Sequence, residues 1–80
     1  MSIKPVHTTR AVNRWLLRHR PVSEEWINSV VLWTIKPENN DEYVIEKIIK
    51  INGKRKKIKL WIKDYNWRYL VYKIHMENHP

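Results

Sequence analysis

Eighty residues make one small domain, and the absence of cysteine excludes both a disulfide framework and a thiolate metal site. A single glycine excludes a glycine-rich phosphate loop, and no apolar run reaches the roughly 18 residues of a membrane span. Sixteen Lys and Arg against eight acids leave a net charge of +8, an excess that attracts polyanions.

The opening MSIKPVHTTR lacks the apolar segment of a signal peptide, which, with the missing cysteines, predicts a cytoplasmic protein that does not engage a membrane. Residues 1–7 read as an irregular N-terminus, with Pro5 fixing an extended start. Thr8 or Thr9 can cap a helix, and Val12, Trp15, Leu16 and His19 then recur at helical spacing as its apolar stripe. His19 falls at the end of that stripe, as a packed or capping residue. Arg10, Arg14 and Arg18 form a second stripe. Such spacing commonly marks a solvated helix face, but guanidinium groups also pair bidentately with phosphate.

Pro21 ends this helix, Ser23 is a good N-cap for the next, and Glu24 and Glu25 sit where the helix dipole favours anions. Trp26, Ile27, Val30 and Val31 make its buried face. Leu32-Trp33-Thr34-Ile35 is β-branched and aromatic enough to form a short strand instead. Pro37-Glu38-Asn39-Asn40-Asp41 reads as a loop.

The second half predicts a hairpin and one more strand. Asn52-Gly53 is the favoured two-residue type I′ turn between a strand from Tyr43 to Ile51 and the run KRKKIKLWIK. That turn pairs Ile51 with Lys54, Ile45 with Leu60, Tyr43 with Ile62, Glu46 with Lys59 and Val44 with Trp61. Ile58, Leu60 and Ile62 then share the core face, while Arg55, Lys57, Lys59, Trp61 and Lys63 share the other. Asp64-Tyr65-Asn66 turns the chain into a strand from Trp67 to Met76. Its even residues, Leu70, Tyr72, Ile74 and Met76, are assigned to the core. Its odd residues, Trp67, Tyr69, Val71, Lys73 and His75, then extend the open face. Residues 77–80 read as a frayed end.

The expected fold is α+β: two N-terminal helices packed on one face of a three- to four-stranded antiparallel sheet, in one domain spanning 1–80. A row of cations ending in an exposed indole is not something a fold requires. Lysines also guard sheet edges against aggregation, but rings among them can stack on bases while ammonium groups take phosphates. The candidate nucleic-acid-binding residues are therefore Arg55, Lys57, Lys59, Trp61, Lys63 and Lys73, with Arg10, Arg14 and Arg18 as a second basic surface. RNA is favoured over DNA, with a sheet-face DNA-binding protein or a basic protein-interaction module as rivals.

His7, His19, His75 and His79 lack carboxylates at ligand spacing, so no metal and no cofactor are expected. His75 is a candidate general acid or base and Tyr69 a candidate substrate-orienting group, should the face cleave RNA without a metal.

The segment Thr9-Arg10-Ala11-Val12-Asn13-Arg14-Trp15-Leu16-Leu17-Arg18, followed by Val22-Ser23-Glu24-Glu25, resembles the opening of small RelE-like proteins of the barnase-type ribonuclease toxin superfamily. Families of unknown function are among them. That opening has His-Ala, an Arg three residues on, an apolar residue, a further Arg, and then an Ile-Ser-Glu-Glu helix start. Ala11, Arg14, Trp15, Arg18 and Val22-Ser23 match. Arg10 stands at the pattern's His, and Arg20-Pro21 is an insertion. The resemblance implies a ribonuclease-toxin fold with nucleic acid on its open sheet face, and an acidic antitoxin as a partner. With Arg10 in place of the His, binding without cleavage is the expectation, and a metal-independent endoribonuclease of toxin type is the alternative.

Overall fold

The computed structural model describes residues 4–34 and 41–79. The chain is an α+β fold of two helices on a four-stranded sheet: β1 (Val6–Thr8), α1 (Arg10–Arg18), α2 (Glu24–Thr34), β2 (Glu42–Ile51), β3 (Lys54–Asp64) and β4 (Tyr69–Asn78). The sheet order is β1-β4-β3-β2. It is mixed rather than wholly antiparallel, because β1 runs parallel to β4 along its edge. Val6–Thr8 is thus a strand and not irregular chain. The Tyr69 amide donates to the Pro5 carbonyl and the Thr9 amide to that of Val71, so the edge of β4 captures the segment before α1.

Local chemistry sets the helices as their sequence predicts. Thr9 caps α1 by accepting from the Val12 amide, and Ser23 caps α2 by accepting from that of Trp26. His19 closes α1. Its amide donates to the Leu16 and Trp15 carbonyls, its Nδ1 lies 2.9 Å from the Trp15 oxygen, and its ring stacks on the Trp15 indole at 3.9 Å. Leu32, Trp33 and Thr34 continue α2 rather than forming a strand. Ile35 and the expected loop at 37–40 lie outside the described residues.

The Asn52-Gly53 turn has φ of 52° and 78°, both left-handed, as a type I′ hairpin requires. The β2–β3 register follows from it: Ile51 with Lys54, Glu46 with Lys59, Ile45 with Leu60, Val44 with Trp61, Tyr43 with Ile62. Val12, Val22, Ile27 and Val31 from the helical half pack with Val6, Ile45, Ile58, Leu60, Ile62 and Val71 of the sheet to make the core. Full burial of each such side chain stabilises by about 1.5–3 kcal/mol against the ordering entropy. Both helices therefore cover one face of the sheet and leave the other open.

Two parts of β4 depart from the alternation expected of it. Trp61 pairs with Lys73 but Ile62 pairs with Val71, which leaves Tyr72 as an extra residue in β4. This β-bulge inverts the alternation on its N-terminal side. Ile74 and Met76 face the core as expected. Before the bulge, however, Val71 is fully buried opposite Ile62, Tyr69 packs against the core, and Leu70 moves to the open face. At the other end, β4 runs through Glu77 and Asn78 instead of fraying. Lys56 and Lys57 supply it with partners, the Lys56 ammonium bonds the Asn78 side chain, and the His79 amide donates to the Arg55 carbonyl.

Candidate nucleic-acid interface

The open face is laid out in transverse rows by strand register. On the hairpin side of the bulge these rows are Ile48–Lys57–Glu77, Glu46–Lys59–His75 and Val44–Trp61–Lys73. Beyond it the row is Glu42–Lys63–Leu70–His7, which reaches the edge strand β1. Pleating places these side chains together because each lies opposite a core residue's neighbour, with Ile58, Leu60 and Ile62 anchoring the other side of β3.

Trp61 is half-buried rather than broadly exposed. Its ring has the Lys73 ammonium 4.7 Å from the centroid and that of Lys59 at 5.2 Å, both within cation–π range. Lys63 extends over the ring of the bulge residue Tyr72 at 5.2 Å. The face thus alternates rings with ammonium groups across β3 and β4, and Val44 and Ile48 on β2 add exposed apolar surface beside them.

The cations are not equally available. Glu46 reaches both Lys57 (3.4 Å) and Lys59 (3.6 Å), and Glu77 reaches Lys57 at 3.9 Å. His75 is exposed, with Nε2 3.8 Å from the Glu77 carboxylate. Glu77 was hidden from sequence reasoning because it belonged to the segment read as frayed. Among the described residues, no carboxylate lies within ion-pair distance of Arg55, Lys63 or Lys73.

The remaining candidates separate from this face. Arg10, Arg14 and Arg18 are exposed on α1, roughly half a turn round the helix from the buried Val12. They point away from the sheet and cannot join Trp61 on one surface. Tyr69 sits on the core side, with the Lys4 ammonium 4.6 Å from its ring centroid, so it does not share a face with His75. The bulge accounts for this correction. Among the described residues there is no cluster of three or more His, Asp or Glu that could hold a metal. No helix among them is long and apolar enough to cross a membrane.

A further group lies at the far end of the open face, built on Trp67, which is expected on that face; what sequence reasoning missed is its meeting with Arg68 and His7. Trp67 and Arg68, in the turn between β3 and β4, meet His7 of β1. Arg68 Cζ is 4.5 Å from the Trp67 ring centroid and 5.5 Å from that of Tyr65, and Arg68 Nη1 lies 3.3 Å from His7 Nδ1. The parallel pairing of β1 with β4 creates this meeting, and no local sequence signal announces a three-residue parallel edge strand. Lys4 ties the turn from below, its ammonium holding the Asp64 carboxylate and donating to the Tyr65 carbonyl at 2.9 Å. The hydrogen bond to Asp64 raises the Lys4 pKa above its ordinary value, against a smaller opposing effect of burial.

No family model, curated protein or solved structure matches this chain, so the site's chemistry is argued from its own residues.

Proposed function

We propose that the protein binds single-stranded nucleic acid, RNA in preference to DNA, across the open face of its sheet. The observation that carries this reading is Trp61, an indole held among Lys59 and Lys73 on a surface where burial does not require it. A cation–π contact at such a site contributes about 0.5–1 kcal/mol. A base stacked on the same ring contributes about 1–3 kcal/mol and leaves the displaced ammonium free to meet the adjoining phosphate. The exchange therefore favours the ligand. A broad sheet with rings among cations suits splayed, unstacked bases, whereas a duplex would need a helix or ribbon shaped to its groove.

Binding without cleavage is the reading the geometry favours. The two groups expected to serve catalysis, His75 and Tyr69, are divided between the two faces of the sheet. The RelE-like resemblance of the N-terminal motif supports a nucleic-acid partner, and kinship with those toxins, with an acidic antitoxin, is a proposal resting on that motif.

The test is fluorescence anisotropy with labelled single-stranded RNA and DNA of the same sequence, in EDTA, with the RNA run on a gel afterwards. Tight RNA binding, weaker DNA binding and intact RNA are expected. Trp61→Ala should weaken RNA binding by roughly 1–3 kcal/mol with little change in salt dependence. Unchanged affinity in a folded Trp61→Ala protein would remove the face from the function. Cleavage in EDTA would replace the binding reading with a metal-independent ribonuclease.

A further inference from the structure

We propose that Arg68, Trp67 and Tyr65 form a second nucleotide subsite at the β1 edge of the open face, with Arg68 taking a phosphate and Trp67 stacking on the attached base. This deepens the nucleic-acid reading and rests on it for the identity of the ligand.

Three observations converge. First, the Arg68 guanidinium is held in place before any ligand arrives. Two aromatic rings flank it and His7 Nδ1 accepts from its Nη1. A guanidinium only donates, so in this contact His7 Nδ1 is the acceptor. Second, Arg68 has no neutralising partner among the described residues. No carboxylate among the described residues lies within ion-pair distance, and its Nε is buried without a hydrogen-bond acceptor. A buried Nε without an acceptor, on a cation with no carboxylate partner among the described residues, is an unusual arrangement for a solvated arginine. It suits an anion with several acceptor oxygens, which a guanidinium grips as a fork. Third, the ring beside it is available. Trp67 is 61% exposed and Tyr65 40%, so neither is spent on the core.

Backbone and side-chain hydrogen bonds tie this corner at several points. The Tyr65 amide donates to the Arg68 carbonyl at 2.8 Å, closing the turn, and the Tyr69 amide donates to the Pro5 carbonyl at 2.9 Å. Lys4 grips the Tyr65 carbonyl and Asp64 from the same side. A ligand meeting such a site loses little to ordering. His7 lies two strands across and two residues along from Trp61, roughly 12 Å by strand geometry. One single strand a few nucleotides long therefore reaches both indoles.

The experiment has two arms on the full chain. In the first, RNA affinity is measured for Trp67→Ala and Arg68→Lys, the latter keeping the charge but losing the stacked fork. Each should weaken binding roughly tenfold or more, about the worth of one stacked base. In the second, a nucleoside monophosphate and inorganic phosphate are titrated while indole N–H resonances are followed by NMR. The monophosphate should shift Trp67, assigned by its absence in Trp67→Ala, more than phosphate does. If both variants bind RNA normally while Trp61→Ala weakens it, the subsite is overturned and the sheet-face reading stands. If RNA binds nowhere yet the monophosphate shifts Trp67, the subsite stands as a nucleotide site and the sheet-face reading falls. An Arg68→Lys protein that binds like the parent, with the monophosphate leaving Trp67 unshifted, overturns the subsite outright.

Discussion

The two ends of the open sheet face carry positive charge in different ways. Toward the hairpin end, Lys57 and Lys59 share Glu46, and Glu77 adds a second carboxylate beside Lys57, so these two rows are close to neutral, although Arg55 beyond them has no carboxylate partner among the described residues. At the turn end, Arg68 has no carboxylate partner among the described residues and is held instead by Trp67, Tyr65 and His7. The run KRKKIKLWIK is the most basic stretch of the chain, yet its central lysines are the ones already paired. Counting charge along a strand overstates what a ligand meets there, because neighbouring strands supply counter-charges. Between the two ends lies the bulge at Tyr72, and it decides which residues belong to which face.

The comparison breaks most severely if the bulge does not set the two faces. Before it, Val71 is fully buried opposite Ile62 while Leu70 lies opposite Lys63 on the open face. Val71→Asp places an unpaired carboxylate in the core and should abolish the cooperative thermal transition in circular dichroism. Leu70→Asp should leave that transition in place. The reverse ranking would overturn the assignment of residues to faces around Tyr72.

A smaller effect separates paired from unpaired lysines. Replacing Lys63 and Lys73 with Ala should flatten the dependence of log K on log salt by about 0.7 for each phosphate of a single strand that is no longer neutralised. Replacing Lys57 and Lys59 should flatten it by clearly less, because these two release their carboxylate partners as well as their counterions. Equal slopes in the two double variants would erase the distinction. Conversely, Glu46→Gln frees Lys59 and leaves Lys57 with Glu77 alone, and should tighten RNA binding. The gain is modest, since an exposed ion pair contributes only about 0.2–1 kcal/mol. Weaker binding in that variant would show that Glu46 positions the lysines rather than competing for them.

The smallest effect concerns the tie beneath the turn end. The Lys4 pKa is raised in the folded protein, chiefly by its hydrogen bond to Asp64. Its contribution to stability is therefore fully present below the ordinary lysine pKa and is lost as pH rises through the raised one. Lys4→Met should lower the melting temperature slightly at neutral pH, and the difference from the parent should shrink in strongly alkaline buffer. A difference that grows with alkalinity would contradict the role of this ion pair.

Residues close in sequence determined much of this molecule on their own. Asn52-Gly53 adopts positive φ at both positions because the turn demands it, and that one local preference sets the pairing of β2 with β3 and the face on which Trp61 sits. Thr9 and Ser23 cap their helices by reaching amides three residues away, and His19 closes α1 over Trp15. The bulge left a partial trace, since apolar residues stand at odd positions through Tyr69 and Val71 and at even positions from Ile74 to Met76. Tyr72 could have belonged to either set. Only pairing against Trp61 and Ile62 shows where the phase changes. The parallel edge of β1, the extension of β4 through Asn78 and the meeting of His7 with Arg68 were decided by the tertiary structure alone. Each depends on partners about 20 to more than 60 positions away, and their energy arises only when backbone amides far apart in the chain find carbonyls at one sheet edge.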